Sequence, residues 1–144
     1  MRLLSKFRPA VFTLALAVAG ISALPAVADD AHSPAQGSAE REAIGKALLV
    51  GKGGSVKFFY IKVHNGWAWV DSTPLDHKGQ PVAEGGTSLL HQEQGKWKVI
   101  DLSKIPRDPN DPPIDEEEAS PGLIRNLVKK YPDLPKDIFP KAHH

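Results

Sequence analysis

SVKFFYIKVHNGWAWVD, residues 55–71, is the stretch that decides how this chain folds. Two runs rich in β-branched and aromatic residues meet at Asn65-Gly66. Both central residues of a type I′ turn need positive φ, which Asn and Gly adopt at least cost, so the pair predicts a tight hairpin. The turn sets the register: His64 opposite Trp67, Val63 opposite Ala68, Lys62 opposite Trp69, Ile61 opposite Val70 and Tyr60 opposite Asp71. Because strand side chains alternate, the ribbon divides into two faces. Phe59, Ile61, Val63, Ala68 and Val70 make an aliphatic face that belongs on a core. Phe58, Tyr60, Lys62, His64, Trp67 and Trp69 make an aromatic face, which is either covered by more of the chain or offered as a contact surface.

Downstream, Ser72–Gly86 is broken by Pro74, Lys78-Gly79, Pro81 and Gly85-Gly86. It is a long connection or an extension of the strand with a turn at His77 to Gln80. Thr87–Leu102, TSLLHQEQGKWKVIDL, predicts a second hairpin turning at Glu93 to Lys96. Gln92 then faces Trp97, His91 faces Lys98, Leu90 faces Val99 and Leu89 faces Ile100. Each side of this pair carries an aliphatic couple and needs cover.

Helices flank the strands. Ser38 is placed to cap a helix with Glu40 and Glu42 in its first turn, an apolar stripe of Ala39, Ala43, Ile44, Ala47 and Leu48, and an exit at Gly51, Gly53 and Gly54. Residues 29–37 before it read as a mobile lead-in. Ser120-Pro121 starts a second helix whose apolar face is Leu123, Ile124, Leu127, Val128 and Tyr131, stopped by Pro132. With Leu134, Ile138 and Phe139 behind it, this end of the chain has too many apolar anchors to stay in water, at about 1.5–3 kcal/mol per fully buried side chain. It is expected to dock, and the aromatic face of the first hairpin is the surface most in need of cover. Between hairpin and helix, the prolines and the acids Asp108, Asp111, Asp115, Glu116, Glu117 and Glu118 mark a solvated connector.

The first 28 residues read as a cleavable signal peptide. Arg2, Lys6 and Arg8 precede an apolar run from Ala10 to Leu24, and Ala26-Val27-Ala28 supplies the small residues a signal peptidase requires. Without the leader's three basic residues, 15 of the 18 Lys and Arg stand against 17 Asp and Glu, a net −2. A mildly acidic product has no electrostatic grip on nucleic acid or an anionic membrane. The chain has no cysteine, so an exported domain of this length rests on one packed core, without disulfides. A periplasmic or secreted location after cleavage near Ala28 is expected, with no stable membrane anchor.

Motifs for chemistry are sparse. Gly51-Lys52-Gly53-Gly54-Ser55 follows a helix and precedes a strand, the reverse of a phosphate loop. Asp76-His77 lacks a second pair to complete a metal site, Asp108–Pro112 lacks the ligand spacing of a calcium loop, and there is no nucleophile elbow. His143 and His144 end the chain as an appended pair or a weak metal ligand. No metal, cofactor or catalytic residue is therefore expected.

The order helix, four antiparallel strands in two hairpins, connector, helix describes an α+β domain, with one helix packed on a four-stranded antiparallel meander sheet of cystatin-like shape and a C-terminal helix added. The run FFYIKVHNGWAWVDSTP, then LLHQEQGKWKVIDL, then YPDLPKDIFP resembles a group of small uncharacterised bacterial periplasmic proteins of cystatin-like or NTF2-like appearance. The resemblance implies a fold and a compartment; its motifs are packing and turn residues and imply no site. Two functions follow. One is a non-enzymatic binding or accessory module, adaptor or inhibitor-like, that meets a protein, peptide or glycan through a helix–sheet groove or through Tyr60, Lys62, His64, Trp67 and Trp69, with Trp97 as a further ring. The other is a small NTF2-like hydrolase, isomerase or lyase with Tyr60 and Asp71 paired in a pocket as acid and base.

Overall fold

Asn65 (φ 47°) and Gly66 (φ 76°) reverse the chain, and Gln94 (φ 51°) and Gly95 (φ 77°) do so again, both as left-handed pairs of the type I′ kind. The computed structural model, which describes residues 30–110 and 119–141, builds a four-stranded antiparallel sheet on these two turns. The strands are β1 (Ser55–His64), β2 (Trp67–Leu75), β3 (Gly86–Glu93) and β4 (Lys96–Ile100), adjacent in chain order as a meander. Helix α1 (Ala39–Leu49) precedes the sheet and α2 (Pro121–Lys130) follows it. The segment expected to be a signal peptide (1–28), most of the acidic connector (111–118) and His143-His144 lie outside the described residues.

The register of both hairpins is the expected one, from His64 opposite Trp67 to Tyr60 opposite Asp71, and from Gln92 opposite Trp97 to Leu89 opposite Ile100. Beyond Tyr60 the two strands slip. Phe58 pairs with Ser72, leaving Phe59 as an extra, unpaired residue: a β-bulge. This corrects the two faces. Phe58 lies on the aliphatic side beneath α1, and Phe59 is turned out, 60% exposed with the Lys57 ammonium 5.1 Å from its ring.

Ser72–Leu75 extends β2 rather than leaving it, and Pro74 is accommodated past the last β2–β3 pair, Ser72 with Gly86. The Asp76 carboxylate then accepts from the amides of Lys78 (2.8 Å) and Gln80 (2.9 Å), so it is spent on the turn. Gly54 (φ 113°) immediately precedes β1, and a Cβ there would run into the Leu75 carbonyl.

Two cores share the sheet. On one face α1 lays Ile44 against Ile61, Val63, Ala68, Val70, Leu90 and Trp97. The other face holds Trp67, Trp69 and Leu89 beneath Leu123 and Leu127 of α2 and Leu134, Ile138 and Phe139 of the tail, so the C-terminal segment docks where its anchors required. Both helices start as expected: Ser38 Oγ accepts from the Arg41 amide and Ser120 Oγ from the Leu123 amide, each at 3.2 Å. At the end of α1, Val50 itself takes the left-handed cap conformation (φ 47°), an unusual position for a β-branched residue. Residues 30–37 are not a free lead-in. His32 pairs with Val63 on the outer edge of β1, amide to carbonyl in both directions at 2.9 and 2.8 Å.

Candidate functional site

Tyr60, Lys62, His64, Trp67 and Trp69 do share one face of the sheet, but the chain's own C-terminal segment covers it. Trp67 and Trp69 are 2% and 1% exposed. The Trp67 indole stacks on the His91 imidazole (centroids 3.9 Å apart, planes at 15°), with Tyr131 tilted across it at 5.1 Å. Trp69 meets the Phe139 ring at 5.0 Å. Trp97, grouped with these rings as a further contact, lies on the opposite face in the α1 core. The indoles therefore act as packing groups.

Tyr60 and His64 clamp the tail. The Tyr60 hydroxyl donates to the Ile138 carbonyl at 2.9 Å, and Asp137 Oδ1 lies 2.8 Å from His64 Nδ1. Burial pushes the Tyr60 hydroxyl above its ordinary pKa, and the nearby Asp137 carboxylate adds to the shift. For Asp137, burial works against the charge, but the hydrogen bond and charge of His64 and the amide of Ala31 outweigh it and hold the carboxyl below its usual range. One carboxylate thus joins the N-terminal segment, the first hairpin and the tail. His64 Nε2 is buried with no partner among the described residues, so it is closed to solvent as a base. Tyr60 and Asp71 are cross-strand neighbours as expected, yet the Tyr60 hydroxyl is committed to the tail. Lys62, half-buried opposite Trp69, completes the row.

A cleft open to solvent lies on the other side, between α1 and the first half of β1, with a volume of about 550 Å³. Its apolar floor is Leu49, Val56, Phe58 and Leu75, and its charged rim is Arg41, Lys46 and Lys57 against Glu42. The bulge at Phe59 sets Phe58 into this floor. Arg41 is held in place twice, its Nη1 donating to the Pro34 carbonyl at 3.1 Å and its guanidinium 4.8 Å from the Phe58 ring. Gly45, buried in mid-helix, faces the Phe58 ring, and a Cβ there would meet it in ordinary van der Waals contact at 3.7 Å.

Among the described residues no group of three or more His, Asp or Glu is placed to hold a metal ion, and no helix is long and apolar enough to cross a membrane. No family model, curated protein or solved structure matches this chain, so the cleft is assigned by its geometry alone.

Proposed function

We propose that the protein is an exported, non-enzymatic binding module, adaptor or inhibitor-like, whose contact surface is the cleft between α1 and β1. The observation that carries this reading is the burial of Trp67 and Trp69 beneath the tail. With the aromatic face occupied from within, the helix–sheet groove is a recess that joins an apolar floor to a charged rim. Its size lies within the ~300–1,000 Å³ typical of ligand sites, and its apolar floor with a few fixed polar groups is the usual composition of one. An acid–base role for Tyr60 and Asp71 finds less support, because the hydroxyl is held by the Ile138 carbonyl.

The test is a photo-crosslinking residue placed at Lys46 or Lys57 in cells that export the protein, with Val99 and Lys129 as positions outside the cleft. A discrete adduct from the cleft positions alone is the expected result. No adduct, or the same adduct from all four positions, refutes the reading.

A further inference from the structure

Resting on that reading, we infer that the cleft takes a short, extended, acidic peptide segment of a partner protein, added as a strand to the outer edge of β1. β1 is one of the two edge strands of the sheet, and the one that borders the cleft. The only outer pairing described along it is at Val63, where the chain's own His32 exchanges both backbone hydrogen bonds, so this edge accepts an extended segment. From Ser55 to Phe58 the edge borders the cleft, between the turn at Gly54 and the bulge at Phe59. Four residues at about 3.3 Å each give a docking length of about 13 Å, enough for four to five residues of an added strand.

The charge of the occupant follows from the rim. Arg41, Lys46 and Lys57 outnumber Glu42 by three to one, and Arg41 is already oriented by Pro34 and Phe58, leaving other donors of its fork for a carboxylate. Lys57 and the bulge are also the usual guards of an exposed edge. A neutral strand would desolvate the lysine without a partner, whereas an acidic strand supplies one, so the same residue rejects the first and selects the second. Alternate side chains of the added strand would reach the apolar floor of Val56 and Phe58 while those between would lie beside Lys57 on the opposite face of β1, which favours a pattern alternating acidic with aliphatic residues and leaves a carboxylate at the end of the segment to Arg41, on the Phe58 side.

The experiment uses the mature protein and a fluorescent Val-Glu-Val-Glu-Val-Glu peptide, read by anisotropy, with amide shifts followed by two-dimensional NMR. The expected result is salt-sensitive binding with shifts centred on Ser55–Phe58. Affinity should fall about tenfold or more with Arg41→Ala or Lys57→Glu, and similarly when alternate peptide nitrogens are methylated to remove their hydrogen-bond donors. Retained tryptophan emission shows that each variant is folded. Equal binding of the Lys-for-Glu peptide, indifference to N-methylation, or full displacement by a free dicarboxylate or an acidic oligosaccharide overturns the strand proposal. If crosslinks form at Lys46 and Lys57 while the acidic peptide does not bind, the strand proposal alone fails. If neither occurs, the cleft reading fails with it.

Discussion

Two phenylalanines test the architecture, because they look equivalent as residues and differ by position. Phe139 is 5% exposed under the sheet with its ring 5.0 Å from Trp69, while Phe59 is 60% exposed on the bulge. Phe139→Ala removes a buried ring and leaves a cavity, which costs about 3–5 kcal/mol, of which the aromatic pairing accounts for roughly 0.5–1.5. A domain of this size has about 5–15 kcal/mol of stability in all, so the loss is a large fraction. With a urea slope of about 2 kcal/mol per molar, the unfolding midpoint should fall by about 1.5–2.5 M, and the tryptophan emission should shift to the red. Phe59→Ala should stay within about 0.5 kcal/mol of the parent. Urea titration followed by far-UV circular dichroism and tryptophan fluorescence measures both. A Phe139→Ala midpoint within 0.5 M of the parent (the ~0.5–1 kcal/mol scale of a surface change) with unaltered emission would refute the docking of the tail on Trp69.

Val50→Asn should raise the melting temperature, because Asn tolerates the left-handed cap where Val is strained by about 1 kcal/mol; an unchanged or lower melting temperature counts against strain at this cap. Gly54→Ala should destabilise by more than about 1 kcal/mol in the same urea assay, since the new methyl meets the Leu75 carbonyl and the backbone has φ 113°; a neutral effect would show that the strand start can move. Tyr60 keeps its proton more firmly when folded than unfolded, so its contribution is complete below pH 10 and declines as pH rises from there through the raised folded pKa. Tyr60→Phe should cost about 0.5–1.5 kcal/mol at neutral pH and flatten the alkaline decline, and an unaltered alkaline limb would contradict the Ile138 contact. Asp137 has the opposite sense: its contribution is present above the ordinary carboxylate range and is lost as pH falls through its lowered folded pKa. Asp137→Asn should therefore weaken the acid dependence, by less than about 1 kcal/mol because the side chain is half exposed; an acid limb identical to the parent's would deny the His64 pairing.

What the amino-acid order determined here is local. Asn65-Gly66 carries its own turn, and the turn dictates the pairing of every residue from Tyr60 to Asp71, so the hairpin register was legible. Ser38 and Ser120-Pro121 likewise announce their helices, because a cap is satisfied within three residues. The bulge was not legible: Phe58-Phe59 is aromatic on both faces, so alternation holds no information about which ring turns inward. The tertiary structure decides it, by packing Phe58 against the core beneath α1 with the Arg41 guanidinium 4.8 Å from its ring.

The role of the aromatic face was open for a related reason. The sequence named the rings and the apolar tail that needed somewhere to go, yet whether Trp67 and Trp69 meet a partner or their own C-terminus depends on contacts such as Tyr60 to Ile138 and His64 to Asp137, 78 and 73 residues apart. Hairpins and caps are settled by dihedral preferences of neighbouring residues. The closing of one face and the opening of a cleft on the other were decided only when distant segments competed for the same apolar surface, a comparison of burial energies that no short window of sequence contains.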